Sequence, residues 1–266
     1  MKIGIGCGVN PEKVIQSAGK SASPDVEIIC YVKEGTEFSV PEFVSINYSK
    51  CPEKSLVDDL YSKKIDAAVR GSLPSNDTLK YLKKVYDVSR LERIALLETS
   101  AGQKFFFAPV GVEEGWTVSE KVSFVEDGRR LARAFGLPDK AVILSGGRLG
   151  DIGRHEMVDR TIYEAEEAAE ISGAVHGEIL LEDAVSDAGV IIAPDGISGN
   201  LIFRTLVFLG GGIGHGALIV NIKDLFIDSS RASASYEGIL SMAKCIIDGQ
   251  IHYFGGLFDN RTFCVF

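Results

Sequence analysis

The chain has 266 residues, of which 45% are hydrophobic and 24% are charged, so it can bury the core of one large or two modest domains. This composition excludes a disordered chain and a fibrous repeat. The 37 acidic and 28 basic residues give a formal net charge of -9, which repels polyanions. We therefore expect no nucleic acid partner.

Cysteine spacing, the N-terminal residues and one long uncharged run bear on localisation and metal binding. The five cysteines are widely spaced and form no Cys-x-x-Cys pair, which indicates neither a disulfide framework nor a zinc cluster. Residues 1–10 lack the long apolar region of a signal peptide. The uncharged run 205–222 is long enough for a membrane span, but glycines 210–212 and Gly214 interrupt it. We expect a cytoplasmic protein with no metal site and no membrane partner.

The first part of the chain alternates between predicted strands and helices. The strand 2–5 runs through glycines into Asn10-Pro11, where Asn can cap a helix and Pro suits its first turn. Further strands are predicted at residues 26–32, 43–48 and 65–69, with helices at 53–64 and from about Leu79. This alternation favours a parallel sheet that is covered by helices on both faces.

From about Arg93 the pattern changes. Strands at 94–97 and 105–110 are joined by a glycine-containing turn, which permits antiparallel pairing. The later helices are predicted at 117–135, 160–171, 201–209 and 235–247, and the later strands at 141–144, 190–193, 217–222 and 224–227. A hairpin is predicted over 251–266. We expect a first α/β domain of residues 1–93 plus 223–266 and an inserted α/β domain of residues 94–222.

Two weaker motifs have ordinary structural explanations. Gly4-x-Gly6-x-Gly8 follows the first strand as a nucleotide-binding turn would, but it lacks the G-x-G-x-x-G spacing. An ordinary strand-to-helix turn is favoured. His155-Glu156 has Asp159 where the H-E-x-x-H zinc motif needs a second histidine, which favours a solvated helix start.

Three turns carry stronger chemistry, because each follows a predicted parallel strand at the sheet edge where open α/β sheets bind ligands. They are Arg70-Gly71-Ser72 with Ser75, the turn from Asp195 to Gly199 and Asn200, and residues 228–233. Hydroxyls, glycines and single arginines at helix N-termini can bind an anion. Helix capping explains the serines and aspartates but not the arginines beside them. The sequence therefore predicts a phosphate or other anion pocket.

Glu237 is a further candidate, since it lies seven residues after Ser230 and that spacing returns a side chain to nearly the same helical face. We expect Glu237 to face the same pocket. A plain surface glutamate is the alternative.

In this order, the segments resemble the phosphate acetyl/butyryltransferase superfamily, whose fold is related to isocitrate and isopropylmalate dehydrogenases. The matching segments are residues 65–72 with 77–79, 141–145, 177–180, 195–200, and 227–231 with Glu237. Within this superfamily the chain resembles the MtxX methanogenesis-marker family of archaea. The resemblance implies a two-domain, phosphotransacetylase-like α/β fold with mostly parallel sheets, a ligand cleft between domains, and a homodimer.

The resemblance also implies catalytic roles. Ser230 and Arg231 would stabilise a tetrahedral oxyanion and phosphate, and Glu237 would accept the thiol proton of coenzyme A. Glu237 stands where the phosphotransacetylases have Asp, and residues 74–76 and 146–148 also depart from their pattern. The cofactor stays unknown at this point, and the resemblance suggests coenzyme A or another phosphate-bearing ligand as a candidate. We predict a transferase that acts on an anionic small molecule.

Other functions stay open. The resemblance to the MtxX family, whose members are named as methyltransferases, suggests a methyltransferase linked to tetrahydromethanopterin. The chain nevertheless lacks a clear S-adenosylmethionine turn and a D-x-H-x-x-G corrinoid motif. A non-catalytic ligand-binding accessory protein is a second alternative, since such a protein could keep the anion pocket and lose the chemistry. A dehydrogenase of the same broad fold ranks third, because the turns offer only Asp195 and Asp228 in place of a metal-binding aspartate cluster.

Overall fold

The computed structural model describes residues 1–35, 37–231, 233 and 235–248. Its strands, in chain order, are β1 (Lys2–Cys7), β2 (Glu27–Lys33), β3 (Val44–Ser49), β4 (Ala67–Val69), β5 (Arg93–Glu98), β6 (Lys104–Ala108), β7 (Ala141–Ile143), β8 (Val175–His176), β9 (Val190–Ile192), β10 (Ile213–Ile219) and β11 (Leu225–Asp228). Its helices are α1 (Pro11–Ser21), α2 (Pro52–Tyr61), α3 (Ser75–Tyr86), α4 (Val118–Ala134), α5 (Glu156–Ser172), α6 (Leu181–Ala184), α7 (Gly196–Phe208) and α8 (Glu237–Ile247). The predicted hairpin at 251–266 lies outside the described residues.

The chain divides into two compact units. Among the described residues, the first contains those of Met1–Leu91 and those from His215 to 248, and the second contains Glu92–Gly214. The sequence predicts the second boundary after residue 222 instead. The difference arises from β10, which pairs antiparallel with β11 and so joins the first unit for most of its length.

The first unit is built on a mostly parallel sheet with the strand order β3-β2-β1-β4-β11-β10. The connection from β1 to β2 runs through α1, and the connection from β3 to β4 runs through α2 in the opposite direction along the sheet. Because such crossovers are right-handed, α1 and α2 lie on opposite faces. Helix α1 packs against α8, and α2 packs against α3. The predicted parallel sheet with helices on both faces is confirmed.

Burial explains why the strands at the centre of this sheet form. All three residues of β4 are buried, and five of the six residues of β1 are buried. Between the sheet and helices α2 and α3, a core forms around Tyr31, Leu56, Leu60, Leu82 and Phe226. Strands covered on both faces are continuous apolar runs, and this is the pattern from which the sequence predicts them.

The second unit has the strand order β5-β6-β9-β7-β8. Strands β5 and β6 pair antiparallel, as predicted, and the other pairs are parallel. Helices α5 and α7 begin earlier than predicted, because a side chain caps each first turn. His155 Nδ1 accepts the Met157 N–H at 3.1 Å, and Asp195 accepts the Ser198 N–H at 2.8 Å. The interpretation of His155 as a helix start is therefore confirmed.

The uncharged run at 205–222 is divided between a helix and a strand. Part of that run lies in α7, which has 13 residues, and part in β10. Among the described residues, none of the helices combines the length and apolar character that a bilayer crossing needs.

Candidate anion-binding site

Three loops meet at one edge of the first unit's sheet. Strand β4 lies between β1 and β11 and pairs in parallel with both, so the carboxyl ends of the three strands adjoin one another. The loops that follow them contain Gly8, the predicted turn at Arg70-Gly71-Ser72, and the predicted turn that begins at Asp228. The structure thus brings the first and third predicted turns together within one unit.

Glycine allows the loop after β4 to approach the end of strand β1 closely. Gly71 has a left-handed backbone conformation (φ +61°), and a Cβ added there would overlap the Gly6 carbonyl oxygen. A Cβ at Gly6 would overlap the Leu73 side chain. The Ser72 N–H donates to the Gly6 carbonyl at 2.9 Å. Gly6 in β1 and Gly71 after β4 therefore serve close backbone packing, which agrees with the ordinary strand-to-helix interpretation.

Arg70 is the charged group at the centre of this edge. It is only 5% exposed, and its Nε forms an ion pair with Asp228 while its Nη1 donates to the Leu73 carbonyl at 2.7 Å. No hydrogen bond of the described residues uses Nη2, and none of their buried polar side-chain atoms lacks a partner. Nη2 is therefore the edge of the guanidinium that keeps access to solvent.

Two buried serine hydroxyls hold the three loops together. Ser72 Oγ accepts the Gly8 N–H at 2.9 Å, and Ser229 Oγ donates to the Gly71 carbonyl at 2.9 Å. Asp228 also accepts the Ser229 N–H at 2.8 Å. Within the described part of the chain, the Ser72 hydroxyl proton has no acceptor, so Ser72 keeps a donor at this edge.

The segment that follows β11 carries two of the predicted catalytic residues. Ser230 is half-buried and Arg231 is exposed. The buried Tyr236 hydroxyl donates to the Ser230 carbonyl at 3.3 Å. Lys13, in the first turn of α1, donates to the Ser233 carbonyl, and its Nζ lies 5.9 Å from the centroid of the Tyr236 ring. Lys13 and Arg231 thus add positive charge to the segment around Ser230.

Ser75 and Glu237 begin helices. The sequence predicts a loop as far as residue 77, but α3 starts at Ser75. The argument that Glu237 shares a helical face with Ser230 is wrong, because α8 starts at Glu237 and Ser230 precedes the helix. The Glu237 carboxylate pairs with Lys20 at 3.1 Å and accepts the Ser235 hydroxyl at 3.1 Å. Its role as a base stays a prediction.

The remaining predicted turn belongs to the second unit, where its residues make structural contacts. Asp195 caps α7, and the Asn200 Nδ2 donates to the Val110 carbonyl at 2.9 Å. A Cβ at Gly199 would overlap the Pro109 carbonyl oxygen. Helix capping and close packing therefore account for Asp195, Gly199 and Asn200, which the sequence assigns to substrate binding.

A buried charge cluster beside this turn has no counterpart in the sequence interpretation. Glu114 is 1% exposed and pairs with the Arg93 Nε at 2.5 Å, while the exposed Glu113 pairs with the Arg93 Nη2 at 2.9 Å. The Gly111 N–H also donates to Glu114, at 3.3 Å. Burial raises the pKa of Glu114 to about 7, although Arg93 acts to lower it. Adjacent glutamates in a loop are typical of a surface, so no local signal marks this cluster.

Comparison with solved structures shows the fold of the chain. A branched-chain phosphotransacylase from Enterococcus faecalis V583 aligns with a TM-score of 0.69 and 18% identity, covering 95% of this chain and 100% of that one. The EutD phosphotransacetylase from Staphylococcus aureus aligns with a TM-score of 0.67 and 16% identity, covering 94% of each chain. The predicted phosphotransacetylase-like α/β fold is confirmed.

Sequence relatives define the family more narrowly. No model of a known protein family matches the chain. A Methanosarcina barkeri protein named "Putative methyltransferase mtx subunit X" is 38% identical over 257 residues, which cover 92% of this chain and 93% of that protein. A Methanocaldococcus jannaschii protein named "Uncharacterized methyltransferase MJ1371" is 35% identical, covering 92% of this chain and 97% of that protein. The chain belongs to the mtx subunit X family.

Proposed function

We propose that the protein is a group transferase that binds an anionic small molecule at the carboxyl ends of β1, β4 and β11. The observation that carries the proposal is the Arg70 guanidinium, which is 5% exposed, ion-paired to Asp228 and accessible to solvent through Nη2. A guanidinium fixed in this way can donate to a phosphate or carboxylate without first being ordered.

The surrounding groups strengthen an anion site of this kind. Gly8 and Ser75 lie at the sheet edge where the N-terminal turns of α1 and α3 begin, and helix N-termini favour negative charge. Lys13 and Arg231 place two positive charges near this edge of the sheet, although the formal net charge of the whole chain is -9. A local positive site can bind a small anion in an acidic protein because the attraction acts over short distances.

The chemistry we propose is transfer of a group to or from the bound anion. Ser230 and Arg231 would stabilise negative charge that develops on the transferred group, and Glu237 would accept a proton from the incoming nucleophile. Because the Glu237 carboxylate pairs with Lys20 on the surface, this role requires the pair to open when substrate binds.

Two transferred groups are supported by different observations. The phosphotransacylase fold favours acyl transfer between phosphate and a thiol such as coenzyme A. The names and methanogen sources of the relatives favour methyl transfer associated with methanogenesis. We propose a tetrahydromethanopterin derivative as one substrate of such a transfer, as the resemblance of the sequence implies. Both substrates are anionic, so the Arg70 site fits either one. An accessory protein that binds the anion without turnover is the alternative to a transferase.

A ligand screen distinguishes acyl transfer from methyl transfer by the class of compound that binds. Melting temperature would be measured with coenzyme A, its esters, acyl phosphates, S-adenosylmethionine and tetrahydromethanopterin derivatives, since a ligand that binds the folded state raises it. Arg70→Lys keeps the charge but loses the planar fork, so we expect it to reduce the shift caused by the true ligand. If no anion raises the melting temperature of the wild-type protein, the proposal fails.

Turnover with the ligands that bind then tests Glu237. Glu237→Gln should keep ligand affinity and lower turnover about 10²-fold, because the amide cannot accept a proton. Lys20→Met is the matched control, since it removes the partner of Glu237 and leaves the carboxylate in place. If Glu237→Gln turns over at the wild-type rate, Glu237 is excluded as the base. If the wild-type protein binds a ligand but turns over none, the accessory-protein alternative is supported.

A further inference from the structure

His215 lies at the same edge of the first unit's sheet as the candidate anion site. Strand β10 pairs antiparallel with β11, with Ala217 opposite Asp228. The start of β10 therefore adjoins the carboxyl end of β11, and β1 and β4 end at the same edge. His215 comes two residues before Ala217, belongs to the first unit and is half-buried. The start of β10 is thus a fourth chain segment at this edge, in addition to the three strand-end loops.

Two contacts with the start of α8 bring His215 near the Ser230 segment. The Tyr236 hydroxyl, which comes just before the helix, donates to the Ser230 carbonyl at 3.3 Å. A Cβ added to Gly238, the second residue of the helix, would lie 3.5 Å from His215 Nδ1. Gly238 is exposed, so this side of the imidazole lies near the surface of the unit. The residues that contact Ser230 and His215 are therefore only two positions apart in the chain.

Arg70 and His215 come from strands on opposite sides of the strand that leads into Ser230. The strand order is β4-β11-β10, in which Arg70 follows β4 and His215 lies in β10. Neighbouring strands are about 4.8 Å apart, so roughly 10 Å separates β4 from β10. The charge of Arg70 acts to lower the pKa of the Tyr236 hydroxyl, although burial has the larger effect and raises it. Arg70 is therefore also close to the start of α8.

The other described histidines have structural contacts in the second unit. His155 caps α5, and His176 Nε2 lies 2.9 Å from Ser145 Oγ. Among the described residues of the first unit, His215 is the single histidine. A neutral imidazole carries one N–H and a protonated imidazole carries two. His215 therefore brings at least one hydrogen-bond donor to the edge where Arg70 lies.

The distance between the two strands indicates which ligand would contact both side chains. Two hydrogen bonds of about 2.8 Å that meet at one phosphate group span less than the roughly 10 Å between β4 and β10. A molecule with two linked anionic groups spans more. We propose that His215 binds the second anionic group of a ligand whose first anionic group binds Arg70. The ligand class is a molecule with two linked anionic groups, of which a diphosphate is the simplest. This inference rests on the proposed function, because it uses the anion site at Arg70.

Calorimetric titration of the full-length protein with inorganic phosphate and with pyrophosphate tests the proposal. The wild-type protein should bind pyrophosphate at least about 10-fold more tightly than phosphate, because the second group gains a charge-assisted hydrogen bond. His215→Leu removes the N–H donor, so it should abolish this preference and leave phosphate affinity unchanged. His215→Gln keeps an amide N–H and should restore part of the preference.

His155→Leu is the matched control, because it makes the same substitution in the second unit. Although α5 loses its cap, this variant should bind both anions as the wild-type protein does. Circular dichroism melting confirms that every variant is folded. A preference for pyrophosphate that His215→Leu removes, His215→Gln partly restores and His155→Leu leaves in place supports the proposal.

The remaining outcomes separate this inference from the proposed function. Suppose that the wild-type protein binds phosphate, that Arg70→Lys weakens this binding, and that pyrophosphate binds no more tightly than phosphate. The anion site is then supported, and the role of His215 is overturned. An equal loss of both anions in His215→Leu, or an unchanged preference for pyrophosphate, also overturns it. If the wild-type protein binds neither anion, the inference fails and the proposed function depends on the larger anions of the ligand screen.

Discussion

Two turns of similar composition follow parallel strands in the two units, and they differ in what their polar atoms contact. In the first unit, Arg70 pairs with Asp228 across two strand ends and keeps Nη2 accessible. In the second unit, Asp195 caps its own helix and Asn200 binds the Val110 carbonyl. Residue type and position at a strand end thus do not show whether a polar side chain bridges two strand ends or caps a helix. The contact partners of the polar atoms show this.

The largest effect is expected at the ion pair of the first unit. Arg70→Ala should lower the free energy of unfolding by about 3–5 kcal/mol, because Asp228 would remain largely buried without its cation. Urea denaturation measures this loss. The double variant Arg70→Met with Asp228→Asn removes both charges and should recover much of the stability. A loss below about 1 kcal/mol for Arg70→Ala would show that the pair is solvated.

Arg231 should affect binding rather than folding, since its side chain is exposed. Arg231→Ala should weaken a phosphate-bearing ligand by about 1.5–3 kcal/mol, the range for a charge-assisted hydrogen bond, with little change in melting temperature. Titration calorimetry with the ligand found in the screen measures the change. Unchanged affinity would show that Arg231 does not contact the ligand. Arg70 would then be the arginine of the first unit to which the proposed anion site is assigned.

The second unit's turn should respond in the opposite way. Gly199→Ala should lower the free energy of unfolding by about 1–3 kcal/mol, because the added methyl overlaps the Pro109 carbonyl. Ligand affinity at the Arg70 site should not change. Gly150→Ala is the control, since a Cβ there meets nothing within 4 Å. Should Gly199→Ala weaken the ligand and leave stability unchanged, the assignment of this turn to packing would be incorrect.

The difference between the turns also explains what the sequence could predict. Parallel strands such as β4 are short apolar runs between turn residues, so the α/β fold follows from local pattern. The pairing of Arg70 with Asp228 joins residues 158 positions apart, and no local pattern encodes it. The start of α7 is missed because Gly196 and Gly199 are typical of a turn, and only their close contacts with other loops show why glycine is there.

The smallest expected effect concerns Glu114, which accepts the Gly111 N–H at 3.3 Å. Gly111 lies against the second unit's turn, since a Cβ at Gly196 would overlap its carbonyl oxygen. Burial raises the pKa of Glu114 to about 7 in the folded protein, above its ordinary value of 4.5. Between these two values the folded state holds a proton that the unfolded state releases, so rising pH lowers stability. This contribution is fully present below about pH 4.5 and is lost as pH rises through about 7. Between pH 6 and pH 7 the expected loss is about 1 kcal/mol.

Urea denaturation at several pH values, comparing wild type with Glu114→Gln, isolates this contribution, because the amide does not titrate. The difference in unfolding free energy between the two proteins should fall from pH 6 to pH 7 and level off above it. Glu113→Gln is the matched control, since Glu113 also pairs with Arg93 but is exposed, and it should show no such change. A pH-independent difference for Glu114→Gln would mean that Arg93 holds Glu114 ionised throughout. Ligand affinity at the proposed Arg70 site should be the same in the Glu113→Gln and Glu114→Gln variants, because both residues belong to the second unit and Arg70 to the first.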